Sequence, residues 1–439
     1  MNDSRPAITT RSSGWLAALI LLAAYAVSFL DRQVVSLLVE PIKHDLAISN
    51  TQIGFLQGPA FGLFYVTLGL PLGRLADRMN RVRLIAIAIT TWSLMTIACG
   101  LASSFTGLFL ARCGVGIGEA ALVPAAISLL AELFPAQQRA VPVSIFNCGV
   151  ALGAGLALTL GGIFIAFSEN GAADLPVLGH WFAARHTWQN VFVFCGLVGL
   201  PVAALTLLIA EPRALSGAPR DAPHSVRQAW QHLVDKRRYF LPMLAAMASF
   251  YVLCNALSAW LPSMLREQFN WSPVQTGHSL GLTIMVGALV GNIVSGMLTN
   301  QLRGAGHVDA TLRTMISGLS IVAPAAVLAP LLVSLNGTLA SIGVLYFAIG
   351  LTSAVATIAF VEVTPPRLRG QVVALYLLIG NLVGLALGPV SVGSLMDSSI
   401  TALSSTGHAL AAVCAATGVP ALLLLLLARR RYAAARIAE

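Results

Sequence analysis

The sequence predicts an all-α polytopic membrane protein, with twelve transmembrane helices in two pseudo-symmetric six-helix bundles. Composition makes the first case. Of 439 residues, 57% are hydrophobic and only 10% are charged, against roughly 25% charged in an average soluble domain. A water-soluble globule needs more charged surface than that, and a disordered chain would leave too much apolar surface wet. Patterning makes the second case. Apolar runs such as Trp15 to Leu30, Val141 to Phe167 and Ala409 to Ala428 have the length, about 20 residues, that crosses a hydrocarbon core.

Taken in order, the spans fall at 14–38, 53–73, 82–103, 106–132, 140–167, 188–210, 240–263, 276–301, 314–335, 338–362, 371–396 and 407–428. Breakers separate them: Asn50-Thr51, Pro135, Pro212, Ser272-Pro273, Asn336-Gly337, Pro365-Pro366 and Ser404 to Gly407. The first run is a true span rather than a cleaved signal peptide. It is too long, it contains Asp31 and Arg32, and no small-residue cleavage site follows. The six cysteines are single and scattered through apolar runs, which predicts neither a disulfide framework nor a metal site.

The net charge of +9 raises nucleic acid as a partner, and the placement of the charge excludes it. With the N-terminus inside, 21 of the 26 Lys and Arg residues fall on inside segments. Outside loops hold only Lys43, Arg185 and Arg266, and Arg32 and Arg112 lie within spans. Both termini are therefore expected in the cytoplasm, with the cations facing anionic lipid headgroups. Short tails and compact loops point to a bacterial inner membrane.

The chain also repeats itself. Glu132-Leu-Phe-Pro-Ala-Gln-Gln-Arg139 aligns with Glu362-Val-Thr-Pro-Pro-Arg-Leu-Arg369 at a shift of 230, and Gly73 to Asp77 aligns with Gly296 to Asn300. Gly149, Gly153 and Gly155 in the fifth span match Gly380, Gly384 and Gly388 in the eleventh. The expected division is an N-terminal bundle over 1–210, a polar linker loop over 211–239 and a C-terminal bundle over 240–439. Repeated halves with small-residue helix contacts are the architecture of rocking-bundle transporters.

Gly73-Arg-Leu-Ala-Asp77-Arg78-Met-Asn-Arg81-Val-Arg83 resembles the signature of the major facilitator superfamily between its second and third helices, and the resemblance covers essentially the whole chain. Within it, Leu30-Asp31-Arg32, Arg112-Cys-Gly-Val-Gly-Ile-Gly-Glu119-Ala and Phe134-Pro-Ala-Gln-Gln-Arg139 resemble the Spinster family. Organic-anion transporter families share an Asp-Arg pair in the first span and a Gly-Glu-Ala-like fourth span. The Spinster resemblance implies an amphipathic substrate such as a lysophospholipid or a sphingoid lipid. The other implies a small organic anion.

Ionisable groups within a membrane are costly and mark function. The N-terminal half has four: Asp31, Arg32, Arg112 and Glu119. Arg112 and Glu119 are two helical turns apart and share one face of the fourth span. Asp31 and Arg112 sit at similar depth, and the superfamily resemblance puts their spans on facing walls of a central cavity. An arginine favours a neighbouring carboxylate as the anion, whereas desolvation favours the acid. Moving such a group between wet and dry surroundings couples protonation to the open side. Asp31 and Glu119 are the expected proton-binding groups, with Arg112 pairing with them in one state or holding a substrate anion. A static buried salt bridge is the competing reading. Arg32, adjacent to Asp31, points to a different face and ranks below the other three.

The shift of 230 places Ile342 and Ile349 opposite Arg112 and Glu119, and Cys254 and Asn255 near the match for Asp31. The second half thus supplies a more apolar wall. Its candidate substrate contacts are Tyr251, Asn255 and Trp260, then Asn292, Tyr376 and Asn381. A second site is a cytoplasmic gate. Gly73 permits a tight turn, Asp77 can accept from helix N-terminal N–H groups, and Arg78 and Arg81 can reach Glu132. Arg139, Glu362 and Arg369 are lesser members. Asn300-Gln301 replaces the Asp-Arg pair in the second copy, so the gate is expected to be asymmetric. No Walker-type loop, catalytic constellation or cofactor motif occurs, so neither ATP-driven pumping nor an enzyme is expected. The expected partners are protons, membrane lipids and a small-molecule or lipid substrate, handled by a monomer.

Overall fold

The computed structural model describes residues 11–76, 78–135, 138–170, 179–212 and 226–435. Its α-helices run in chain order as α1 (Arg11–Leu37), α2 (Val39–Leu46), α3 (Asn50–Gln57), α4 (Pro59–Ala76), α5 (Arg81–Gly100), α6 (Phe105–Glu119), α7 (Leu122–Leu133), α8 (Ala140–Asn170) and α9 (Gly179–Ala183). They continue as α10 (Thr187–Thr206), α11 (Val226–Asp235), α12 (Arg237–Phe269), α13 (Pro273–Gly304), α14 (Ala310–Leu328), α15 (Leu335–Val361), α16 (Arg369–Met396) and α17 (Thr406–Ala435). Among the described residues, eleven segments are long and apolar enough to cross a membrane. The remaining expected span, 53–73, is shared between α3 and α4.

Local chemistry sets the breaks. Ser49 starts α3 with a capping box, accepting from the Gln52 N–H while Gln52 Oε1 accepts from its own N–H. The helix stops at Gly58, because Pro59 has no N–H and disfavours helical backbone before it. The Asn80 side chain caps α5 by accepting from the Arg83 N–H, and Ser104 caps α6 by accepting from the Gly107 N–H. The fourth span is also broken. Ala120 and Ala121 interrupt it immediately after Glu119, and Pro124 cannot donate to the Ala120 carbonyl. The linker, expected as loop, contains the amphipathic α11, which buries Ala229 and Leu233 at four-residue spacing.

The chain forms two compact units. Unit 1 comprises Met1–Ile48, Ala60–Ser216 and Pro273–His278; unit 2 comprises Ser49–Pro59, Gly217–Ser272 and Ser279–Glu439. In unit 1, α1 packs along α8 and α5 along α10. In unit 2, α12 packs on α16 and α17, and α14 on α15. The glycine runs act at matching contacts. A Cβ on Gly153 of α8 would lie 2.6 Å from Phe29 Cβ on α1, and one on Gly388 of α16 would lie 2.7 Å from the Val252 carbonyl on α12. Only glycine permits these approaches.

Candidate functional site

The four ionisable groups of the first half meet inside unit 1. Asp31 on α1 and Glu119 on α6 are 0% and 1% exposed, and Arg112 is 1% exposed. Three donors converge on one oxygen of Glu119. Arg32 Nε and Nη2 each lie 2.6 Å from Oε2, and Ser28 Oγ donates to it at 2.6 Å. Oε1 has no partner among the described residues. The Arg32 guanidinium lies over the rings of Tyr65, Phe61 and Phe29, with centroids at 4.3, 4.6 and 4.9 Å. These faces suit a cation held away from water.

Asp31 has a thinner set of contacts. Thr96 Oγ1 of α5 donates to Oδ2 at 3.2 Å, and Oδ1 has no partner among the described residues. Arg112 Nη1 donates to the Asp31 main-chain carbonyl at 3.1 Å, not to its carboxylate, and Arg112 Nε has no partner among the described residues. The pairing thus differs from the expected one: Glu119 is bound by Arg32, the lower-ranked residue. Asp31 and Arg32, adjacent in sequence, meet different partners, Thr96 and Glu119. Ser28 and Arg32 are four residues apart and share the face that meets Glu119. That spacing is the signal that identifies the pair.

Unit 2 has no such cluster among the described residues at the matching places. Ile342 is fully buried, and Asn255 bonds locally to the Tyr251 carbonyl at 2.8 Å. Tyr251 and Tyr376 place their hydroxyls 3.4 Å apart, and Tyr376 stacks on Phe360. Trp260 differs from the expectation of a substrate contact. It is 0% exposed and its indole N–H donates to the Pro389 carbonyl, so it is a packing residue between α12 and α16. Asn292 is exposed on α13, and Asn381 donates to the Leu377 carbonyl one turn back.

The residues expected at the gate form two local copies of one arrangement. In unit 1, Arg81 Nη2 binds Glu132 at 2.5 Å, Arg81 also binds Glu211 at 2.8 Å, and Arg139 Nε donates to the Phe134 carbonyl. In unit 2, Arg303 binds Glu362, and Arg369 Nε donates to the Thr364 carbonyl. Both contacts of the second copy follow the 230-residue shift on the acid and carbonyl side. Glu211, at the end of the sixth span, and Arg303 are members that sequence reasoning missed; the Glu-Pro step at 211–212 marks the first, and the match of Gly73–Asp77 to Gly296–Asn300, which carries Arg81 to within one residue of Arg303, marks the second. Arg78 is exposed and Gly73 lies against Pro124 without a close contact. Asp77 lies outside the described residues.

These features agree with the comparisons to known proteins. The Major Facilitator Superfamily profile matches residues 21–389. An MFS-type efflux pump of Mycolicibacterium smegmatis is 30% identical over 95% of this chain and 93% of its own length. A probable L-galactonate transporter of Escherichia coli is 27% identical over 65% of this chain and 61% of its own. The crystal structure of a bacterial homologue of the human lysosomal transporter Spinster superposes with a TM-score of 0.83 at 25% identity, covering 98% of this chain and 99% of that one. The chain therefore belongs to the major facilitator superfamily, as an integral membrane transporter with Spinster-like structure and not an enzyme.

Proposed function

We propose that the protein is a proton-coupled secondary transporter working by alternating access, with Asp31 and Glu119 as the proton-binding groups. One observation carries the reading. Two carboxylates are fully buried on neighbouring helices, and each has one satisfied and one unpartnered oxygen. A buried carboxylate left half-satisfied is expensive as an anion, and a proton removes that cost. Arg32 holds Glu119 in the conformation seen, and Arg112 stands beside Asp31 with Nε open. Opening the site to water changes the balance for both acids, which ties proton uptake and release to the accessible side.

The substrate in this reading is an amphipathic, lipid-like molecule, a lysophospholipid or a sphingoid lipid. Support comes from the charged interior of unit 1, the apolar matching positions of unit 2 and the likeness to the Spinster homologue. A second reading, transport of small organic anions with Arg112 as the carboxylate clamp, is favoured by the unpartnered Arg112 Nε and by the galactonate relative. Two six-helix bundles would rock around the site, with both termini in the cytoplasm, in a monomer of the bacterial inner membrane.

The test is substrate-dependent proton flux into proteoliposomes loaded with a pH dye. Lysophospholipids and small carboxylates are offered in parallel. Proton movement with lysolipid alone supports the amphipathic reading. Movement with a carboxylate alone transfers the assignment to organic anions. Movement with neither removes both.

A further inference from the structure

The matched gates of the two units are not equivalent in charge. In unit 1, Arg81 faces two acids, Glu132 and Glu211, and the group including Arg139 is neutral. In unit 2, the last span contributes Tyr432 where the sixth contributes Glu211. The Tyr432 hydroxyl donates to Glu362 at 2.9 Å. Thr311 donates to the same carboxylate at 2.8 Å, and Arg303 pairs with it. Glu362 thus accepts from three donors. Among the described residues Arg369 has no acid partner, and its Nε donates to the Thr364 carbonyl at 3.2 Å.

A cavity of about 740 Å³ opens on this surplus charge. Arg303, His307 and Arg369 line it, with the Arg303-paired Glu362 and the apolar Val308, Ile358 and Val361. Val308 is 58% exposed and Ile358 39%. The volume is that of a small-molecule site, and its lining combines convergent cationic donors with an apolar wall. It lies at the end of unit 2 that carries Arg429, Arg430 and Arg431. Basic pockets between helices at an arginine-rich membrane face take anionic headgroups.

We propose that this cavity binds a phosphate-bearing anion, with the Arg369 guanidinium and the His307 ring as its ligands and Arg303 completing the positive wall. Arginine presents two N–H groups to two phosphate oxygens, and imidazole supplies a third donor. An anion seated there neutralises the charge that Tyr432, lacking the carboxylate of Glu211, leaves unbalanced. The same chemistry fits an anionic phospholipid headgroup or soluble phosphate. The site is independent of the acids in unit 1 and of the transported substrate.

The experiment is thermal unfolding of the full-length, delipidated protein in detergent. Phosphatidylglycerol, phosphatidylcholine and inorganic phosphate are titrated separately, against wild type and a His307→Gln/Arg369→Gln double variant. The expected result is a rise in the unfolding midpoint with phosphatidylglycerol but not phosphatidylcholine, and an affinity weakened at least about tenfold in the double variant, as loss of a charge-assisted pair requires. A rise with inorganic phosphate, lost in the same variant, assigns the site to a soluble anion instead. No rise with either anion overturns the proposal. So does a rise that persists undiminished in the double variant. Should the double variant not fold, His307→Gln alone, on the segment between α13 and α14, takes its place. Unchanged phosphatidylglycerol and phosphate affinity in that variant overturns the proposal equally.

Discussion

The two units keep the same ends and different interiors. Each end has an arginine bound to the glutamate that begins the repeated element, Arg81 to Glu132 and Arg303 to Glu362. Each also has an arginine five residues beyond a carbonyl that it caps, Arg139 on Phe134 and Arg369 on Thr364. The interiors diverge. Unit 1 buries Asp31, Arg112 and Glu119, and unit 2 has Ile342 and Ile349 at the positions that match the latter two in the 230-residue repeat. The membrane makes that difference informative. A charge at depth costs several kcal/mol wherever it sits, so one retained in a single copy has a use that the fold alone does not require. The ends recur in both halves, and in the proposed reading the interior of unit 1 serves coupling.

The largest expected effect breaks the interior pair. Arg32→Met leaves Glu119 buried without its cation and should cost about 3–5 kcal/mol. Arg32→Met combined with Glu119→Gln should recover most of that loss. Denaturant or thermal unfolding in detergent measures both, and a double variant no better than the single contradicts the pairing. The mirrored change in unit 2, Ile349→Val, should cost about 0.5–1.5 kcal/mol.

The ends should differ less, and in a fixed order. Arg81 has a side chain 6% exposed and two acid partners; Arg303 is 49% exposed with one. Arg81→Gln should therefore cost about 3 kcal/mol, the range for breaking a buried pair, and Arg303→Gln under about 1 kcal/mol. Equal costs would show that the repeat preserves energy as well as geometry. The glycine contacts should be nearly equal in the two units. Gly153→Ala and Gly388→Ala each force backbone apart and should cost about 1–3 kcal/mol.

The smallest effect concerns pH and falls in unit 2. Asp397 caps the start of α3, accepting from the N–H groups of Asn50 and Thr51 and from both side chains. These hydrogen bonds hold its carboxyl below the usual carboxylate range. The Arg429 and Arg313 guanidinium groups do the same for Asp309. A group whose pKa is depressed by folding gives stability that is present above its ordinary pKa, about 3.9, and lost as pH falls below it. Their contribution to the unfolding midpoint should thus hold from neutral pH to about pH 4 and be lost as the pH falls further, and Asp397→Asn should flatten that fall. A pH profile identical in Asp397→Asn and wild type contradicts the assignment.

Much of this was legible in the sequence, for physical reasons. Span positions follow from apolar run length, and the Glu132 and Glu362 ends follow from the 230-residue repeat. The burial of Asp31, Arg112 and Glu119 follows from their place in apolar runs. The partner of Glu119 was not legible. Depth and helical face place side chains to within a turn, and the choice between Arg32 and Arg112 depends on Ser28 and the aromatic faces of Phe61 and Tyr65. The Asp397 cap on α3 joins residues 347 apart without a local pattern to announce it. Trp260 read as a cavity residue because aromatic side chains suit substrates, yet it is buried and its N–H donates to the Pro389 carbonyl of α16.

The central claim is that coupling resides in Asp31 and Glu119. It is tested most directly by comparing two transport modes in Asp31→Asn and Glu119→Gln proteoliposomes. One is substrate exchange at equal pH; the other is accumulation driven by an imposed pH gradient. The account predicts that exchange persists in at least one variant while gradient-driven accumulation is lost in both. Gradient-driven accumulation at the wild-type level in both variants would contradict it.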